Sequence, residues 1–251
     1  MATKKNVRSA RAAGGQTAKR TAKVAPTSAA EVLAALRRAG TKKVRDDMLR
    51  YGIVAPKAFG VRVAALQQLA KKIGRDHALA QELWASGFYE ARMLAGFVDE
   101  PALVTAAQME RQCRDFDNWA ICDHLCFHLW DRTPHAFAQV SKWARRREEF
   151  VKRAAFALLA SLALHDKAAG DAPFLACLPL AERAATDERN FVKKGVSWAL
   201  RGIGMRSLAL HTAVMSLAER LVGSGDPAAA WVGRDVRRDL ARPLVTRRLS
   251  V

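Results

Sequence analysis

Two short stretches of this 251-residue chain each place a tryptophan one helical turn from a charged residue. In Asn118-Trp119-Ala120-Ile121-Cys122-Asp123 the pair is Trp119 with Asp123. In Lys194-Gly195-Val196-Ser197-Trp198-Ala199-Leu200-Arg201 it is Trp198 with Arg201. Residues three or four apart share a helix face. The chain around them carries a formal charge of +18. A lone carboxylate between indoles on a strongly basic helical protein suggests a site that meets a polyanion and stabilises a cation.

Three helices must position these groups. The helix from about Asn190 to Ile203 separates cleanly at 100° per residue. Val192, Val196, Ala199 and Ile203 share a core side; Asn190, Lys194 and Arg201 lie opposite; Trp198 falls on the shoulder of the polar face. That tryptophan either serves a site or packs half-buried against the next hairpin. The helix starting near Asp117 is apolar on two sides, with Ile121, Leu125 and Leu129 on one and Trp119, Asp123, Cys126 and Trp130 on the other. Burying an unpaired charge is costly, so Asp123 either pairs with an arginine or is held ready for a cationic ligand. In the helix from about Arg147, Arg153 stands with Arg146, Glu149, Ala157 and Ala160. Those alanines are expected to leave room for something bulky to approach the guanidinium, unless the arginine is simply solvated.

Other chemistries are poorly served. Cys122, His124, Cys126 and His128 look like metal ligands, but on a helix the cysteines and histidines point different ways. No second CxxC or HxxxH element completes a tetrahedral site, so no metal is expected. No phosphate-cradling glycine loop, GxSxG elbow or dinucleotide fingerprint appears, so no cofactor is expected either.

Half the residues are hydrophobic, and the sequence pI is about 10.5. The chain is long enough for a large core, as one domain or a repeat array. No run of about 18 uncharged apolar residues is present, so no membrane span is expected. The basic balance implies an anionic partner, nucleic acid above all. The four cysteines, Cys113, Cys122, Cys126 and Cys177, read as reduced thiols in a cytoplasmic protein, nucleoid-associated when bound to DNA.

Residues 1–28 are a basic tail with seven Lys/Arg and no acidic residue. Removing them from +18 leaves +11 on the remainder. The tail is expected to be disordered and to add non-specific phosphate affinity. Its acid-free, Arg-containing composition leaves organelle targeting open. Residues 29–251 read as helical throughout. Ser28 is a plausible N-cap; Gly40, Gly74, Gly170 and Gly223 are plausible stops; Pro101 and Pro134 mark new starts. The expected architecture is all-α: hairpins stacked in a HEAT-like solenoid with a concave basic face, a compact bundle being the alternative.

These features together resemble the AlkD-type DNA alkylpurine glycosylases, a family of HEAT-like repeats. The resemblance runs from about Thr41 to Arg248. It rests on Asn118 to Asp123, on Phe150-Val151-Lys152-Arg153-Ala154-Ala155, and on Asn190-Phe191-Val192-Lys193-Lys194 continuing to Trp198 and Arg201. The Tyr51-Gly52-Ile53 turn and the basic helix after it, with Arg62, Lys71 and Lys72, also look similar. The resemblance implies that Asp123 is the catalytic carboxylate and that Trp119 and Trp198 contact the deoxyribose. It implies that Arg153 and Arg201 hold the DNA backbone, where Lys194 is also expected. Lys43 departs from the pattern. It stands where some members carry an aromatic residue, so a stacking surface gives way to a cation that suits a phosphate.

The implied activity is excision of cationic N3- or N7-alkylated purines from duplex DNA by a monomer, as a step of base excision repair. Chemistry supports the implication independently. Glycoside hydrolysis ordinarily uses two carboxyl groups, one as general acid. An alkylated purine is already cationic and leaves without protonation, so one carboxylate could suffice to stabilise the oxocarbenium-like sugar and position water. Indole faces add cation–π attraction. The alternatives are a protein that binds DNA structures without excision, and a HEAT scaffold for protein partners.

Overall fold

The computed structural model describes residues 28–245. The basic tail therefore lies outside the described residues except for Ser28, which caps the first helix. Its hydroxyl accepts from the Glu31 N–H, and the Glu31 carboxylate accepts from the Ser28 N–H, a reciprocal capping box. The helices are α1 (Ala29–Ala39), α2 (Lys42–Arg50), α3 (Val63–Ile73), α4 (His77–Ala85), α5 (Tyr89–Val98), α6 (Ala106–Arg114) and α7 (Trp119–His128). They continue as α8 (Ala136–Trp143), α9 (Glu149–His165), α10 (Ala172–Ala184), α11 (Asn190–Gly204), α12 (Leu208–Gly223) and α13 (Pro227–Leu240). No strand occurs among the described residues, and no described helix is long and apolar enough to cross a membrane.

The helices form two layers. In one, α5, α7, α9, α11 and α13 each pack on the next. In the other, α8, α10 and α12 run in sequence, and α4, α8, α10 and α12 back α5, α9, α11 and α13. This is the stacked-hairpin architecture expected from the helix lengths. Each hairpin buries its apolar face only by stacking on its neighbours.

Helix α9 is the centre of the stack. Every residue from Arg153 to Ala163 is buried. Ala160, which the sequence suggested would leave room for a ligand, instead faces α11. A Cβ added at Gly202 would lie 3.3 Å from Ala163 Cβ, and one at Gly195 would lie 3.5 Å from Phe156 Cβ. Small residues on both helices let the backbones approach.

Boundaries differ from the sequence reading at two places. Helix α9 ends at His165, not at Gly170, because the Asp166 carboxylate accepts from the Ala168 and Ala169 N–H groups and turns the chain. Helix α7 ends at His128, so Trp130 does not share a face with Asp123; it opens a 3₁₀ turn, Trp130–Arg132, and is fully buried. Gly40 and Gly74 do end α1 and α3 as expected.

The segment between α2 and α3 is fixed by one buried carboxylate. Glu90 accepts from Phe59 N through Oε2 (2.9 Å), and from Gly60 N (2.6 Å) and Val61 N (3.1 Å) through Oε1. A glutamine there would set an amide N–H₂ against one or two of these donors. Glu90→Gln should therefore cost about 2–3 kcal/mol, the penalty of stranded buried donors, read as a lower thermal midpoint with unchanged helical signal just below it.

Candidate functional site

Asn118 positions the catalytic candidate. Its Oδ1 caps α7 by accepting from the Ala120 and Ile121 N–H groups. One turn in, Asp123 turns toward α9 and meets Arg153. The contact is bidentate: Nε to Oδ1 at 2.8 Å and Nη2 to Oδ2 at 2.7 Å. Arg153 Nη1 donates to the carbonyl of Phe191 at 2.7 Å, tying the same guanidinium to α11. The side chain of Asp123 is 15% exposed and that of Arg153 is 8% exposed. Of the two readings open for Asp123, pairing with an arginine is the one realised, yet the carboxylate still reaches a cleft.

Burial pushes the Asp123 carboxyl above the ordinary carboxylate value, and the charge and hydrogen bonds of Arg153 oppose that rise. Burial also works against the guanidinium of Arg153, but Asp123 prevails and holds it above its usual value.

The cleft has a volume of about 410 Å³ and is lined by Asp123, Arg153, Lys194, Trp198, Arg201, Trp231 and Asp235. Five candidate residues thus come together from α7, α9 and α11. Trp198 is half-buried, with one face stacked on Phe127 at 4.8 Å and 8° between planes. It packs on α7, an earlier helix and not the next hairpin, and it also lines the cleft. Lys194 is exposed at the rim. Arg201 leans toward α13, within 3.8 Å of Asp235 and 3.6 Å of Asp239.

Two candidates stand elsewhere. Trp119 is not in this lining; its Nε1 donates to the carbonyl of Tyr51 at 3.0 Å, across to the turn after α2. Lys43 is exposed on α2 and also lies outside the lining.

Two residues of the cleft escaped sequence reasoning. Trp231 and Asp235 on α13 repeat the Trp-x-x-x-Asp spacing of Trp119 and Asp123, and that repeat was the available signal. The carboxylate is therefore not alone. Asp235 accepts from Ser197 Oγ at 2.6 Å and is ion-paired with Arg201 and Arg238. Lys193 lies over the Trp231 ring, 5.3 Å from its centroid.

The cysteine and histidine set on α7 is engaged in packing. Cys122 and Cys126 are buried and donate to the carbonyls of Phe150 and Ala154, each at 3.6 Å. His124 Nε2 meets the carbonyl of Met93 at 2.6 Å, and burial lowers its pKa to about 3.

The arrangement offers an anion backed by a cation, an indole beside it, and further cations at the rim. It can stabilise a positive charge that develops next to a polyanion. A family model described as DNA alkylation repair enzyme matches residues 32–220. A solved structure is similar in fold; it is of a new family of proteins related to the HEAT-like repeat DNA glycosylases, with affinity for branched DNA structures. The TM-score is 0.69 over 84% of this chain and 95% of that one, at 19% identity. A designed armadillo repeat protein in complex with a lysine-arginine peptide gives a TM-score of 0.31 at 11% identity, over 88% of this chain and 78% of that one. No curated protein matches the sequence.

Proposed function

This chain belongs to the DNA alkylation repair enzyme family, and from that premise we propose that it is a cofactor-free DNA glycosylase releasing cationic N3- or N7-alkylated purines from duplex DNA. The observation that carries the reading is the cleft in which Asp123, held by Arg153, stands with Trp198, Lys194 and Arg201. Asp123 stabilises the oxocarbenium-like sugar and orients the attacking water. Trp198 adds cation–π attraction to the same charge, while Trp119, to which the resemblance gives a deoxyribose contact, stands outside this cleft. Lys194, Arg201 and Lys43 hold backbone phosphates. Arg153 acts through Asp123 as a positioning residue. Mass analysis of bases released from methylated duplex DNA is the direct test: 3-methyladenine and 7-methylguanine should appear, and their absence would sink the excision reading.

A second reading, DNA-structure binding without excision, is favoured by the branched-DNA affinity of the structurally similar protein. The same measurement separates the two.

Arg153 carries a pH signature. Excision needs the carboxylate ionised, and burial already raises the Asp123 pKa. Activity should therefore fall, as pH drops, at a higher pH than an ordinary aspartate would give. Arg153→Met removes the cation that opposes the rise, so the acid limb of the single-turnover rate should move further up. A limb that stays in place would break the proposed link between the two residues.

The polyanion reading predicts steep salt dependence. With about six phosphates neutralised, log affinity for undamaged duplex should fall against log salt with a slope of roughly −5. A nearly flat slope by fluorescence anisotropy would favour a protein-binding scaffold instead.

A further inference from the structure

We propose that Asp235 and Asp239 of α13 are positioning residues that aim Arg201 at a phosphate of the bound strand. The phosphate rests on the DNA reading above; the placement of the arginine does not. Helix α13 begins at Pro227, beyond residues 32–220 that the family model matches.

The two arginines that the resemblance gives to the DNA backbone are used very differently. Arg153 donates from Nε, Nη1 and Nη2, to Asp123 and to the carbonyl of Phe191. Arg201 makes one hydrogen bond among the described residues, a long one of 3.4 Å from Nε to the carbonyl of Ser197 in its own helix. Nη1 and Nη2 keep their N–H groups uncommitted. The side chain is 32% exposed and lines the cleft. A planar guanidinium with its terminal donors free matches two oxygens of a phosphate. Arg201 is therefore equipped to take one, and Arg153 is not.

A free arginine side chain is flexible, and α13 restrains this one. Ser197 and Arg201 lie one turn apart on α11, as do Asp235 and Asp239 on α13, so the two pairs face each other. Asp235 Oδ2 accepts from Ser197 Oγ at 2.6 Å and stands 3.8 Å from Arg201 Nε. Asp239 Oδ2 stands 3.6 Å from Arg201 Nη1. Both carboxylates are themselves pinned, Asp235 by Arg238 and Asp239 by Arg242 at 3.1 Å. The helices are close here: a Cβ added at Gly204 would lie 2.5 Å from Leu240 Cδ1. At 3.6–3.8 Å the carboxylates attract the guanidinium without consuming its donors. They form a fixed anionic rail that sets its direction.

The arrangement lowers raw affinity. Two anions beside a phosphate-binding cation repel the strand, so they weaken binding while they order the contact. That opposition in sign separates positioning from plain packing.

Asp235 also faces the reacting centre, so Asp239→Asn is the cleaner probe; Asp239 does not line the cleft. Single-turnover base release at saturating protein should fall about tenfold, inside the roughly 100-fold that an ångström of misplacement costs. Affinity for undamaged duplex should rise about two- to fivefold at low salt, since a surface anion has gone. Rate and affinity falling together, in step with the folded fraction, would mean packing and overturn the inference. The loss must also run through Arg201. Placed on Arg201→Gln, Asp239→Asn should lower the rate by less than about twofold more. A tenfold loss that persists there, or no loss in the wild-type background, overturns the inference and leaves the proposed function standing.

Arginine side-chain relaxation by NMR gives a readout without DNA. The Arg201 Nε–H signal, assigned by its loss in Arg201→Gln, should show a lower order parameter in Asp235→Asn/Asp239→Asn than in wild type. An unchanged order parameter overturns the inference whatever the activity. Base release absent from wild type sinks the excision reading, and the order parameter then decides the positioning on its own.

Discussion

Asp123→Asn should lower single-turnover base release about 1000-fold per folded molecule while affinity for undamaged duplex holds. A unit charge pair about 4 Å apart at an effective dielectric near 20 is worth roughly 4 kcal/mol, which is about three decades in rate. The ion pair sharpens this expectation. Arg153 pairs with the carboxylate, and a guanidinium about 8 Å from a sugar held against Asp123 would repel its charge by roughly 2 kcal/mol. The wild-type pair therefore contributes the difference, whereas Asp123→Asn loses the whole attraction and keeps the repulsion. The double variant Asp123→Asn/Arg153→Met should lose only about 30-fold, the net worth of the pair. The two should also separate in stability. Stranding a buried guanidinium costs about 3–5 kcal/mol, whereas removing both charges is nearly neutral. A double variant slower than the single one, or an Asp123→Asn protein as fast as wild type, would end this mechanism.

The second large effect lies in the substrate. Wild-type protein should release 7-methylguanine or 3-methyladenine and leave uracil nearly untouched, by several decades in single-turnover rate. A cationic base leaves as a neutral molecule, while uracil leaves as an anion unless an acid protonates it. Asp123 is engaged by Arg153, and the other carboxylate of the cleft, Asp235, by Arg201, Arg238 and Ser197. Neither is arranged as a proton donor. Oligonucleotides carrying each lesion provide the comparison. Efficient uracil release would demand an acid that this mechanism does not contain; in that event Asp235→Asn would be the informative variant.

Much of this was legible in the sequence. The 3.6-residue periodicity placed Val192, Val196, Ala199 and Ile203 in the core, and all four are fully buried. The motif residues on α7, α9 and α11 converge because those helices are successive members of one layer, as hairpin stacking requires. Lateral relations were not legible. Nothing local says that Trp119 reaches back to the turn after α2 while Asp123, one turn later, faces α9. Nor does it say that Ala160 is a spacer for another helix and not the wall of a pocket. Asp235 went unseen for a similar reason: its place beside Trp198 is decided by how α13 seats on α11, not by its own neighbours in sequence.

The polar ties within this layer bear on mechanics. Asp123 to Arg153 links α7 with α9, Arg153 to the Phe191 carbonyl links α9 with α11, and Ser197 to Asp235 links α11 with α13. A stack cross-braced at every step is stiff, so in any complex with a duplex the bending falls on the nucleic acid. The elastic cost of that bending depends on local stacking and sequence. A lesion that loosens its own base step makes that deformation easier. Discrimination between damaged and intact DNA would then begin as a difference in flexural stiffness, before any bond is strained toward breaking.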